Sequence, residues 1–150
     1  MADDEFTFLG LSEFGAALKE WTVRVDAAAR QAVAAGGHAI EAKTKQKLST
    51  YSHTRGTPTP SPPGEPPAVI TGQLRRSERV EGPTPIGPGT WQSRTGPTAA
   101  YGRIQELGGV TGIGTVLPPR PSLAPSVREL LDSGELFRIM RDAWAKASGA

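Results

Sequence analysis

From Leu11 to Ala42 an apolar residue recurs at alternating steps of three and four: Leu11, Phe14, Leu18, Trp21, Val25, Ala28, Ala32, Ala35, Ala39 and Ala42. An α-helix turns once in about 3.6 residues, so this spacing lays all of those side chains along a single stripe. The charges agree. Glu20 and Arg24, Asp26 and Arg30, and Glu41 and Lys45 each stand four apart, the separation at which opposite charges meet on a helix face. Ser12 followed by Glu13 supplies a helix start. Along the stripe, bulky Phe14, Leu18 and Trp21 give way to alanines and to the pair Gly36-Gly37, and a glycine costs about 1 kcal/mol relative to alanine inside a helix. The expectation is a short helix over 11–20 and a long one over about 22–49, or one continuous helix. Small residues invite another element to approach closely, and the glycines mark where the helix would bend or break.

The next segment cannot be helix. Residues 56–67 hold six prolines in twelve positions, which removes backbone donors and excludes both helix and central strand. The sequence predicts an extended arm over 52–68. Proline-rich chain favours polyproline II, a stiff form that loses little entropy on docking, which makes Pro62, Pro63, Pro66 and Pro67 candidate contacts to a partner. Residues 78–81 and 90–95 then read as strands, joined through Gly82, Pro83, Pro85, Gly87, Pro88 and Gly89 in a hairpin-like connection. Residues 99–107 read as a short helix that packs Tyr101, Ile104 and Leu107 on the sheet and leaves Arg103 and Glu106 outside for contacts between subunits. Gly108 and Gly109 stop it, and a loop rich in Gly and Pro runs over 108–121. Two helices close the chain, one around Val127, Leu130 and Leu131, the other around Leu136, Ile139, Met140 and Trp144, with Gly134 between them.

With 150 residues, 37% of them hydrophobic, and with 18 Gly and 14 Pro, the chain supports one domain and a modest core that completes its burial against neighbours. The absence of cysteine excludes disulfide frameworks, thiolate metal sites and a thiol nucleophile. His38 and His53 lack the spacing that holds zinc, and no Gly-x-Ser-x-Gly occurs. The glycines of 108–114 lack the Lys-Ser/Thr of a phosphate loop, and Asp3 and Asp4 belong to a terminus without a shaped pocket. No catalytic, metal or cofactor site is expected, and no enzyme. The start is acidic where a secretory signal is basic, and no apolar run approaches the roughly 18 residues that span a bilayer, so the chain reads as soluble, unprocessed and without a membrane partner. Net charge is only +2, yet Lys43, Lys45, Lys47, Arg55, Arg75, Arg76 and Arg79 crowd the middle third. Arg75, Arg76 and Arg79 are the candidate contacts to DNA phosphates or to a neighbouring subunit.

One ordered set of motifs remains. Pro62-Pro63-Gly64-Glu65-Pro66-Pro67 is followed at once by Thr71-Gly72-Gln73-Leu74-Arg75-Arg76-Ser77. Tyr101-Gly102-Arg103-Ile104-Gln105-Glu106-Leu107-Gly108 comes next, and Pro119-Arg120-Pro121-Ser122-Leu123-Ala124-Pro125 leads into the closing helices. Over roughly residues 22–145 this order resembles the lambda-type tail-completion, or head-to-tail joining, family of siphophages and their prophages. Ser122 and Leu107 stand where that family usually has Phe, and the loop around Gly112 is longer and richer in glycine. The resemblance implies a non-enzymatic virion subunit, assembled in the host cytoplasm, that forms a closed ring with itself at the neck while DNA passes along the axis. Its other partners would be neck and tail proteins: a tail terminator, a head-to-tail stopper or adaptor, and the tail tube. The fold expected is α+β, with a long N-terminal amphipathic helix packed on a small antiparallel sheet, extended Pro- and Gly-rich loops and C-terminal helices, in one domain over 1–150 with a flexible terminus over 1–10. The alternative is a small DNA-binding or regulatory protein that uses the basic middle segment; filter binding with a steep salt slope and a sequence preference would favour it.

Overall fold

A single helix, α1 (Leu11–Lys47), carries the whole stripe without a break. The computed structural model describes residues 10–54, 56 and 61–149. The terminus expected to be flexible over 1–10, Gly10 apart, and most of the middle of the proline-rich arm lie outside those residues. After α1 come α2 (Gln73–Ser77), β1 (Glu78–Gly87), β2 (Thr90–Pro97), α3 (Gly102–Leu107), the two-residue strands β3 (Gly109–Val110) and β4 (Val116–Leu117), α4 (Leu123–Asp132) and α5 (Glu135–Ser148). The fold is α+β: a long N-terminal helix, a two-stranded antiparallel sheet and helices at the C-terminal end.

Gly36 and Gly37 do not break α1 because two layers close on it there. A β-carbon on Gly36 would stand 3.0 Å from Met140 Sδ in α5, and one on Gly37 would stand 2.8 Å from Val80 Cγ1 in β1. Consecutive helix residues point about 100° apart, so the pair opens two adjacent faces, one to α5 and one to the hairpin. The contacts also set direction. Glu129 of α4 bridges Lys43 and Lys47, while Leu136 and Met140 of α5 meet Gly36, so the closing helices run back along α1 towards its start. Eight residues of α5 remain beyond Met140, about 12 Å, enough to reach only the middle of α1.

The hairpin runs the same way. Thr95 Oγ1 donates to Gly37 O, Ser93 lies beside Gly37, and Trp91 Nε1 donates to Asp26 Oδ1 at 3.0 Å. Arg30 lies over the Trp91 ring, 5.7 Å from its centroid. Of the three charge pairs read along the helix, Glu41–Lys45 forms at 2.6 Å, whereas Asp26 and Arg30 both turn to Trp91. The strands also exceed expectation. Pairing continues through Pro83 and Pro85 across register shifts, and only Pro88 and Gly89 form the turn. A two-stranded sheet has a free edge on each strand, where a residue without an N–H does no harm.

Little is sealed inside. Among the described residues the buried aliphatic side chains are Ala28, Ala32, Leu48, Leu130 and Leu136. No helix among them is long and apolar enough to cross a membrane.

Candidate functional site

The three motifs singled out in the sequence fold into one clasp. Ser122, Leu123 and Ala124 begin α4, and their N–H groups point at a single carboxylate: Ser122 and Leu123 donate to Glu106 Oε2 at 2.8 and 3.1 Å, and Ala124 to Oε1 at 2.8 Å. A helix start leaves its first amides without intrahelical partners. Here the next residue is Pro125, which has none to satisfy, and Ser126 N–H already bonds Ser122 O. Arg120 N–H donates to Gln105 O at 2.7 Å, and its buried Nε donates to Ser61 O at 3.1 Å. Gly64 N–H donates to Pro119 O. Gly102 faces Pro97 so closely that a β-carbon there would lie 2.5 Å from Pro97 Cγ, with Leu74 next to it.

Glu106 is therefore not the exposed contact residue expected; it is half-buried and committed to the start of α4. Nor do Tyr101 and Leu107 pack on the sheet, since both are exposed, while Ile104 is half-buried beside Gly109. α3 starts three residues later than expected and turns Arg103 outward as read. The described part of the proline-rich segment is irregular but lies against the body: Pro66 is buried, Pro67 half-buried, and Pro62 and Pro63 exposed. Its base is tied where Val69 N–H donates to Tyr51 O and His53 N–H to Val69 O.

Arg75, Arg76 and Arg79 do come together. With Lys45, Gln46 and Ser49 they line a basic groove of about 590 Å³ at the C-terminal end of α1. The helix α2, too short to show a period in the sequence, sets their directions, and left-handed Gly72 (φ 72°) starts it. Arg75 Nη1 donates to Ser49 Oγ at 2.9 Å and Arg76 Nη1 to Thr71 O at 2.9 Å. On the other side of Arg75 lies an apolar groove of about 180 Å³, with Leu48, Val69, Ile70, Leu74 and Tyr101 among its walls.

Glu78 begins β1 beneath these residues. It is 1% exposed, and its Oε2 has no hydrogen-bond partner among the described residues. Burial, reinforced by the Glu106 charge and opposed by Lys45, raises its pKa from the usual 4.5 to about 7. A carboxyl whose folded pKa is raised contributes stability that is fully present below pH 4.5 and is lost as the pH rises through about 7. The urea midpoint should thus fall between pH 5 and pH 8, and Glu78→Gln should flatten that slope. An unchanged slope in the variant would assign the pH dependence elsewhere.

A long exposed apolar stripe lies at the opposite end of α1. Every residue from Gly10 to Arg24 is exposed, and Leu11, Phe14, Leu18 and Trp21 of the apolar stripe are 49% to 66% exposed. The stripe that the hairpin and α5 cover from Ala28 onwards is bare for about 20 Å before it. Helix propensity alone scarcely holds so short a segment in water, so it propagates from the buried half of α1 and presents its apolar side chains to solvent. The expectation of a long helix packed across the sheet is met by the part of α1 from Asp26 onwards, where Asp26 and Gly37 meet the hairpin. The change from bulky residues to alanines marks the boundary: small residues where other layers approach, large ones where none of the described residues does.

Apolar residues also crowd the glycine-rich loop, which folds as a small hairpin with Val110, Ile113 and Val116 exposed. Among the described residues no group of three or more His, Asp or Glu stands close enough to hold a metal ion. No family model, curated protein or solved structure matches the chain.

Proposed function

We propose that the chain is a structural subunit of a bacteriophage head-to-tail connector, which completes the tail or joins it to the head as part of a ring through which DNA passes. The bare first half of α1 carries this reading. Fully burying a large apolar side chain is worth about 1.5 to 3 kcal/mol, so covering Leu11, Phe14, Leu18 and Trp21, each half to two-thirds exposed, returns on the order of 5 kcal/mol per copy. A chain with so small a sealed core has apolar surface left over for neighbours to cover. The clasp supports the reading in a second way, because the motifs that carry the family resemblance meet around Glu106 and serve one another. The basic groove supplies cations for passing phosphates or for an acidic neighbour, and its work is binding without chemistry.

The test is mass in solution. Light scattering of the purified chain, alone and mixed with tails, should give a closed oligomer that adds to the tails. Leu18→Ser with Trp21→Ser should give a monomer with unchanged circular dichroism, since neither side chain is buried. A wild-type chain that stays monomeric, leaves tails unaltered and is retained on filters by duplex DNA with a steep salt slope would replace this reading with the DNA-binding one.

A further inference from the structure

We infer that Arg75, Arg76, Arg79 and Arg94 form one continuous track for the phosphate backbone of duplex DNA, running from the C-terminal end of α1 across α2 to the outer face of the hairpin. This rests on the ring proposed above for its place in the particle, and it names the surface of each copy that meets the DNA.

Arg79 joins two grooves. It lines the basic groove of about 590 Å³ with Arg75 and Arg76, and it lines a second one of about 250 Å³ with Arg94. The hairpin sets this direction. Val80 and Thr95 meet Gly37 of α1, and alternate strand residues point to opposite faces, so Arg79 and Arg94 turn outwards as diagonal neighbours about 7 to 8 Å apart. The four charges are also uncompensated. Arg75 and Arg76 donate to neutral oxygens, Ser49 Oγ and Thr71 O, which aim the guanidinium groups without neutralising them. Arg79 and Arg94 make no ion pair among the described residues, although Glu81 stands opposite Arg94 across the strands. The lysines on the neighbouring turns of α1 differ: Lys43 and Lys47 are tied to Glu129, and Lys45 to Glu41.

Wall chemistry favours a phosphate backbone over an acidic protein. Protein interfaces place apolar and aromatic anchors at their centre. Among the described residues that line the basic groove, Ala42 alone is apolar and none is acidic. Arginines with Ser49 and Gln46 beside them are instead the residue types that contact phosphate oxygens. A line of cations across two grooves also suits a polymer whose charges recur at a regular spacing better than it suits a single anion. Backbone contacts carry no sequence information, so a track of this kind holds any duplex and lets it slide.

Fluorescence polarisation of a short labelled duplex tests it. Four phosphate contacts give a slope of log K against log salt of about −3.6, which is about 150-fold weaker binding at about 200 mM salt than at about 50 mM. Two duplexes of unrelated sequence should bind alike. Arg79→Gln with Arg94→Gln, at two exposed positions, should halve that slope with unchanged melting, and Arg79→Lys with Arg94→Lys should keep it, since lysine also neutralises a phosphate. Arg138→Gln with Arg141→Gln removes the same charge from exposed positions of α5 and should leave the slope at its wild-type value. An equal loss in that pair would mean that net charge alone acts, and the inference falls. It falls as well if a polyglutamate peptide binds as tightly as the duplex and is lost with Arg79 and Arg94, which would assign the track to an acidic protein. Light scattering of the same samples separates the two readings. A chain that assembles and leaves the duplex unbound sinks this inference and keeps the ring subunit; one that binds the duplex on this track and stays monomeric keeps the track and ends the ring.

Discussion

Replacing Glu106 with alanine should lower the melting temperature by about 10 °C without altering how copies associate. Three backbone N–H groups at the start of α4 share that carboxylate, at 2.8, 3.1 and 2.8 Å, and Ser122 Oγ lies 3.4 Å from Oε2. Hydrogen bonds to a charged acceptor contribute about 1.5 to 3 kcal/mol, and an amide left unpaired in a half-buried setting costs a similar amount. The bonds share one acceptor and are not additive, so we expect about 3 kcal/mol for the set; a chain of this length loses about 2 to 4 °C per kcal/mol. The positive end of the α4 dipole adds to the loss. Glu106→Gln keeps an acceptor oxygen but not the charge and should cost about half as much. Amide exchange at Ser122, Leu123 and Ala124 should speed up in both variants. Had Glu106 been the outward contact read from the sequence, Glu106→Ala would leave melting unchanged and weaken assembly instead, so the two measurements separate the roles.

The same residue shows where sequence reading stops. Tyr101 to Gly108 was legible as a motif, and the helix beginning near Leu123 was legible as a helix, but nothing in a one-dimensional pattern joins a carboxylate to amides sixteen residues further on. Long periodic segments came through well: the stripe, the charge pair Glu41–Lys45, and the two closing helices with Gly134 between them. Short segments did not. α2 is five residues, too few for a 3.6-residue period to register, and β1 is interrupted by prolines that its free edge tolerates. The bare stripe was hidden for a different reason. Periodicity says which side of a helix is apolar and is silent on what covers it, so Phe14 and Ala32 look alike in the pattern while one faces solvent and the other is buried. Arg75, Arg76 and Arg79 were grouped correctly because neighbours in sequence stay neighbours in space.

The three glycines of α1 allow a sharper experiment, in which one substitution in one helix should change sign with position. Gly15 has nothing within 4 Å of where a β-carbon would sit, so Gly15→Ala should stabilise the fold by up to about 1 kcal/mol through helix propensity alone. At Gly36 the new atom would meet Met140 Sδ at 3.0 Å and Cγ at 3.1 Å; a methionine side chain is flexible enough to move aside, so Gly36→Ala should be close to neutral. Gly37 has no such relief. Its β-carbon would lie 2.8 Å from Val80 Cγ1 and 3.3 Å from Ser93 Cβ, and Val80 is β-branched and anchored in the paired part of the hairpin. Overpacking of that kind costs about 1 to 3 kcal/mol, which outweighs the propensity gain, so Gly37→Ala should be destabilising and Gly37→Val should lose about 3 kcal/mol or more. Because Gly37 O also accepts the Thr95 hydroxyl, pushing the hairpin away should loosen Trp91 from Asp26 as well, and tryptophan fluorescence should shift along with the melting curve. A Gly37→Ala chain that melts above the wild type would mean that the hairpin does not rest on α1 at this distance, and the layered arrangement built on that close approach would have to be given up.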